Sequence, residues 1–320
     1  MSNEFPAWID RAAIEASLAQ HKSPADMMGG RIRGIIDGTI SPVPTPWHHF
    51  DDIKAAMPGT INVLCGDPGS AKSFAILQAV AHAHRLGIGV GLLELECIRE
   101  WHLHRYLAQI SDEPGVTSID WIKTHADRMN TLMAIHRQSL NSLGNVLDVA
   151  DGKLLTVRDI LRWTTDRLES GVKLIAIDPI TAMEPSAKPW VDDQELITGM
   201  RRLLERHHAA AWLVTHPKKG RKNEISLEVL AGGAAISRFS DVVLWLERID
   251  KPQRHWLKNG NRPVDAERVL HVMKCRDGTA AGRKLSVSLD QRNLTFRTHG
   301  WIERVEHVDV TSESIEDVGF

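Results

Sequence analysis

The residues best suited to chemistry stand in one run, Gly66-Asp67-Pro68-Gly69-Ser70-Ala71-Lys72-Ser73. Such a glycine-bearing turn lets successive backbone N–H groups converge on phosphate oxygens, and the helix that follows turns its positive end to the same anion. In that arrangement Lys72 reaches the β- and γ-phosphates and the Ser73 hydroxyl ligates Mg²⁺. Ala71 stands where a glycine is expected before the lysine, and its Cβ disfavours positive φ and crowds the phosphate. Further along, Asp178 closes the apolar run Leu174-Ile175-Ala176-Ile177. A carboxylate there can hold Mg²⁺ or its water opposite the phosphate loop.

Three other groups fit the same chemistry. Glu94 and Glu96 end an apolar run, and either carboxylate could polarise water against a γ-phosphate; the residues alone do not choose between them. His216, in Thr215-His216-Pro217, ends another run, where a polar side chain can hydrogen-bond the γ-phosphate. Lys274 and Arg276, in Lys274-Cys275-Arg276-Asp277-Gly278, lie on one strand face and suit an anion nearby, including a γ-phosphate in a neighbouring subunit.

The chain has 320 residues with 39 basic and 41 acidic side chains, a formal charge of −2. Binding to nucleic acid must therefore come from a local patch. Lys218, Lys219, Arg221 and Lys222 form one cluster after His216. Lys251, Arg254, Lys258 and Arg262 form another in a polar insertion between two strands. Either could track a phosphate backbone. The histidine pairs His48-His49, His102/His104 and His207-His208 lack acidic or cysteine companions at metal-ligand spacing and read as packing or surface residues. Cys65, Cys97 and Cys275 make no disulfide framework. With no signal pattern at the N-terminus and no apolar run of membrane length, a soluble cytoplasmic protein is expected.

The elements that must position these groups alternate in period. Apolar strands are expected over 61–65, 88–95, 172–177, 210–215 and 241–246, and helices over 72–86, 99–110, 118–141, 156–169 and 192–208. Strands that are apolar throughout and separated by helices imply an α/β fold with a mostly parallel sheet covered on both faces. Residues 269–297 change to short antiparallel strands with turns at Asp277-Gly278 and Asp290-Gln291. The expected division is a helical arm and proline linker over 1–45, with a helix at 6–20 and a second short, glycine-bounded segment at 27–38, an ATPase domain over 46–298, and an acidic tail over 299–320.

Taken in order, these elements resemble the RecA-like ATPase domain of hexameric replicative helicases, the DnaB, Twinkle and plasmid RepA group, over roughly 45–298. Leu93-Glu94-Leu95-Glu96-Cys97 with Arg105 resembles the family's Ser-Leu-Glu-Met stretch, which selects Glu96 as catalytic base. Ile177-Asp178-Pro179-Ile180 resembles the strand ending in the Mg²⁺-associated aspartate, and Val214-Thr215-His216-Pro217-Lys218 the phosphate-sensor strand. Gly232-Gly233-Ala234-Ala235-Ile236 through Asp241-Val242-Val243 resembles the segment after the second DNA loop. Lys274 and Arg276 resemble the pair that reaches the adjacent subunit's nucleotide. The loop 184–194, with Lys188, takes the place of the first DNA loop.

The resemblance implies a RecA-like P-loop ATPase using ATP and Mg²⁺. It also implies assembly as a homo-oligomer, a hexameric ring around single-stranded DNA, with a replication initiator or primase as a possible partner. A primase-binding N-terminal domain does not fit in 45 residues, so a minimal plasmid or phage helicase is expected. The form Gly-Asp-Pro-Gly-x-Ala-Lys-Ser is also that of MCM and MoxR-like ATPases, which bind nucleotide and leave their AAA+ fold as an alternative. Two other functions stay open: a DNA-stimulated ATPase that loads or remodels partners without unwinding, and a nucleotide-dependent scaffold that barely hydrolyses.

Overall fold

The computed structural model describes residues 23–218, 220, 224–258, 260 and 262–307, and divides into two units, residues 1–41 and 42–320. In the first unit, Pro24–Ile36 is a helix. Its start is set by Pro24 and by a capping box in which Ser23 and Asp26 satisfy each other's backbone N–H groups. The helix expected over 6–20 lies outside the described residues.

In the second unit nine strands form one sheet: β1 (Ile61–Cys65), β2 (Val90–Glu94), β3 (Leu147–Val149), β4 (Leu174–Asp178), β5 (Ala210–Val214), β6 (Val242–Leu257), β7 (Val264–Cys275), β8 (Lys284–Asp290) and β9 (Thr295–His307). Their order is β3-β2-β4-β5-β1-β6-β7-β8-β9. The first six are parallel to their neighbours, and β6 to β9 are antiparallel. β9 also returns to pair with β6, closing the antiparallel end of the sheet on itself and removing its free edge.

Both faces are buried, as the unbroken apolar runs require. In β1, Leu64 packs with the helices Lys72–Arg85, Arg99–Ser111 and Ala126–Gly144, while Ile61, Val63 and Cys65 pack with Val157–Glu169, Pro189–His207 and Gly233–Phe239. Each large aliphatic side chain buried this way stabilises the fold by about 1.5–3 kcal/mol.

Several expectations change. The helix expected over 118–141 is two, Ile119–Thr124 and Ala126–Gly144, because His125 leaves the helical region at φ −127, ψ 41. The loop expected over 184–194 is shorter: a helix begins at Pro189, whose fixed φ suits the first helical turn, with Lys188 as its N-cap. The polar insertion holding Arg254 is the far half of the β6–β7 hairpin, and Arg254 pairs with Asp265 across it. The tail expected from 299 is instead β9 as far as His307. Buried Trp301 anchors it through an Nε1 hydrogen bond to Asp52, 2.7 Å, while Glu303, Arg304 and Glu306 make the stretch look weakly apolar. Residues 308–320 lie outside the described part.

Candidate nucleotide site

Parallel strands deliver their C-terminal ends to one edge of the sheet, and ligands of such sheets bind there, at the point where strand order reverses. Here β1 lies between β5 and β6, and the run 66–73 joins β1 to the helix Lys72–Arg85 at that edge. Gly66 is required by contact: a Cβ there would stand 2.3 Å from the Leu246 carbonyl oxygen of β6. Gly69 takes φ +79, and Ala71 takes φ 75, ψ 33. A left-handed alanine costs about 1–2 kcal/mol, so the turn is kept despite its Cβ. Arg268 of β7, itself buried, donates from Nε to the Ser70 carbonyl at 3.4 Å and props the loop from behind.

Lys72 is buried and folds back over the loop, its Nζ donating to the carbonyls of Gly66 (2.7 Å) and Asp67 (3.1 Å). Burial pushes its amine pKa down, against the pull of Cys65, Asp178 and other acids. Asp178, at the end of β4, accepts a hydrogen bond from the Ser73 hydroxyl; burial first, and then the charge of Glu94, push its carboxyl up to about 7. Ser73 and Asp178 fit Mg²⁺, a hard cation that takes oxygen donors, and a cation there would relieve the crowding of acids. A loop of backbone N–H groups with a lysine waiting on its own carbonyls fits a nucleoside triphosphate such as ATP.

The two glutamates separate clearly. Glu94 is buried at the end of β2, and its Oε1 accepts the backbone N–H groups of Glu96 (2.9 Å) and Cys97 (3.0 Å), so it shapes the turn. Glu96 is exposed and, with Asp67, Pro68, Thr181, His216, Pro217, Lys218, Gly220 and Ala231, lines a cavity of about 580 Å³ beside the loop. Burial and the neighbouring Glu94 push the Glu96 carboxyl up, which makes it a better proton acceptor than an ordinary carboxylate. His216 lines the same cavity; burial and the charge of Lys72 lower its pKa to about 4, and its Nδ1 lacks a hydrogen-bond partner among the described residues.

The basic residues divide. Lys218 lines the cavity rim and donates to the Glu228 carbonyl. Lys188 is exposed at its helix start and is not among the lining residues. Lys219, Arg221 and Lys222 lie outside the described residues. Lys274 and Arg276 do not reach their own chain's cavity. Lys274 Nζ donates to the carbonyls of Ser237 (2.8 Å) and Arg238 (2.9 Å) at the end of the Gly233–Phe239 helix. Arg276 donates to the Arg238 carbonyl (3.1 Å) and to Asp241 (3.4 Å).

Sequence reasoning missed three supports. Arg268 stands next to an apolar run and carries no motif of its own. Asp241 is a buried junction, accepting from Ile61 N–H (2.9 Å), Arg201 (2.7 Å) and Arg276. Thr181 enters the cavity from the turn after Asp178. Only the Asp241 carboxylate, beside an apolar run, carried any signal of its own.

No protein-family model matches the chain. Among curated proteins it is similar to the Twinkle homolog protein, chloroplastic/mitochondrial, of Arabidopsis thaliana, 23% identical over 195 residues that make up 55% of this chain. The match spans about a quarter (26%) of that relative's length. Among solved structures, one described as an ATPase domain superposes with TM-score 0.66 at 14% identity, over 86% of this chain and 99% of that one. A DnaB-like replicative helicase, solved for its interactions with primase, gives TM-score 0.64 at 15% identity, over 89% of this chain and 69% of that one. The RadB recombinase gives 0.52 at 14% identity, over 78% and 97%. The chain therefore has the RecA-like fold of the ATPase domains of DnaB-like replicative helicases.

Proposed function

We propose that this chain is an ATP-hydrolysing, Mg²⁺-dependent motor that assembles into a ring, a hexamer, around single-stranded DNA and acts as a helicase of the plasmid or phage kind. The observation that carries the proposal is the meeting of Lys72, Ser73, Asp178, Glu96 and His216 at the ends of four adjacent parallel strands. In this reading Lys72 leaves the Gly66 and Asp67 carbonyls and turns to the β- and γ-phosphates. Ser73 and Asp178 would hold Mg²⁺, which when bound neutralises charge on the phosphate oxygens. Glu96 takes the proton of the attacking water, and neutral His216 donates a hydrogen bond to a γ-phosphoryl oxygen.

Because Lys218 follows His216 on the same rim, the 218–222 segment would carry the state of that phosphate to DNA, with Lys188 as a second contact. Lys274 and Arg276 serve the neighbouring subunit's nucleotide, supplying charge to its transition state. The similarity to a helicase solved with primase in view supports a replication initiator or primase as partner.

The trans role is tested by ATPase rate against protein concentration for the unaltered chain and for Arg276→Ala. Specific activity should rise with concentration and fall by about 10³-fold or more in the variant, the least an arginine finger supplies. Activity independent of concentration and unchanged in Arg276→Ala refutes it. A forked duplex then separates the motors: DNA-stimulated hydrolysis without strand separation would leave the loader or remodeller reading.

A further inference from the structure

A second set of donor atoms lies behind the turn that carries Glu96 and takes no part in the proposed hydrolysis. Glu94 ends β2, Cys97 follows three residues on, and His102 lies in the first turns of the helix Arg99–Ser111. One donor atom from each of these three residues lies within 4.8 Å of the others. His102 thus has the acidic and cysteine companions that its sequence neighbourhood did not reveal.

Glu94 and His102 are 2% and 1% exposed. Glu94 Oε2 and His102 Nε2 approach to 2.6 Å, but not along a hydrogen-bonding direction. Glu94 Oε2, His102 Nε2 and His102 Nδ1 all lack hydrogen-bond partners among the described residues. Buried polar atoms are nearly always partnered, and several orphans in one place point to a missing ligand.

Carboxylate, thiolate and imidazole together are a donor set for a borderline divalent ion such as Zn²⁺ or Co²⁺, whereas Mg²⁺ takes oxygens alone. We propose that Glu94, Cys97 and His102 form a binding site for a Zn²⁺-class ion. Two charges on the ion, one on the carboxylate and one on the thiolate sum to zero, so the filled site suits its buried position. The thiol proton passes to solvent on binding. The positive charge of Arg105 acts on both Cys97 and Glu94. Three protein ligands leave one tetrahedral position open. Glu96 sits between two of the ligands in sequence, so a bound ion would hold the proposed base in one place.

The site does not depend on nucleotide hydrolysis, and its test reads metal binding alone. The whole chain, stripped with chelator and kept in excess Mg²⁺ without nucleotide, is titrated with Co²⁺. A thiolate-to-cobalt charge-transfer band should appear, be displaced by Zn²⁺, vanish in Cys97→Ser and persist in Cys275→Ser. His102→Gln should weaken Co²⁺ binding by more than about tenfold, since even outer partners of such ions are worth that much. In the unaltered protein, Zn²⁺ should slow iodoacetamide modification of Cys97 but not of Cys275, which needs no folded variant. Absence of the band, its survival in Cys97→Ser, or equal Cys97 alkylation with and without Zn²⁺ overturns the proposal.

Discussion

Ala71 holds the left-handed turn that a glycine would hold without strain. Ala71→Gly removes about 1–2 kcal/mol of steric cost and adds about 0.5–1 kcal/mol of unfolded-chain freedom. The variant should therefore unfold at higher urea, with a net gain of about 0.5–1 kcal/mol; a lower midpoint contradicts the strain. His216 makes a different prediction. Its imidazole is held down to about 4 by burial and by Lys72, against an ordinary 6.5. Between those values the unfolded chain binds more protons than the folded one. The contribution of His216 is thus complete above pH 6.5 and lost as pH falls towards 4. His216→Gln should flatten that part of the stability–pH profile, and an unchanged slope refutes the neutral buried imidazole.

Elements rather than residues decide how the site is braced. β1 is flanked by β5 and β6, and the Asp241 carboxylate just before β6 satisfies the first N–H of β1 while holding Arg201 and Arg276. Asp241→Ala leaves those donors without their shared acceptor in a mostly buried place. It should cost about 3 kcal/mol, the scale of breaking a buried ion pair, measured by urea denaturation. A loss within about 0.5 kcal/mol, ordinary for a surface change, would mean that the junction is not a brace. Because Arg276 and Lys274 grip the same helix end, the helix Gly233–Phe239 and the proposed trans-acting pair share one mechanical unit.

At the scale of the molecule, β9 closes the antiparallel end of the sheet by pairing with both β8 and β6. A chain ending after Thr298 loses buried Trp301 and its hydrogen bond to Asp52, and it reopens the edge of β6 and, at Leu285 and Ser286, that of β8. Loss of one buried tryptophan costs about 3–5 kcal/mol, which for a domain of this size lowers Tm by about 6 °C or more. An unaltered melting curve would show the closure to be dispensable. Among the described residues no helix is long and apolar enough to cross a membrane.

The order of chemistry along the chain was legible in the sequence. Gly66–Ser73, Asp178 and His216 each end or follow an apolar run, and parallel strands carry such ends to one edge wherever they fall in the chain. The α/β alternation followed from runs too apolar to face water on either side. What only tertiary structure decided depends on contacts between distant segments. Glu94 and Glu96 look alike in sequence, and one is buried as a turn brace while the other opens on the cavity. Arg268 carries no motif of its own, and β7 turns it towards the phosphate loop. Glu94, Cys97 and His102 come together because β2 and the helix after it bend around one turn. Only the start of the closing strand β9 lay in the stretch expected as strand, because beyond it Glu303, Arg304 and Glu306 resemble a charged tail until the partner strands are known.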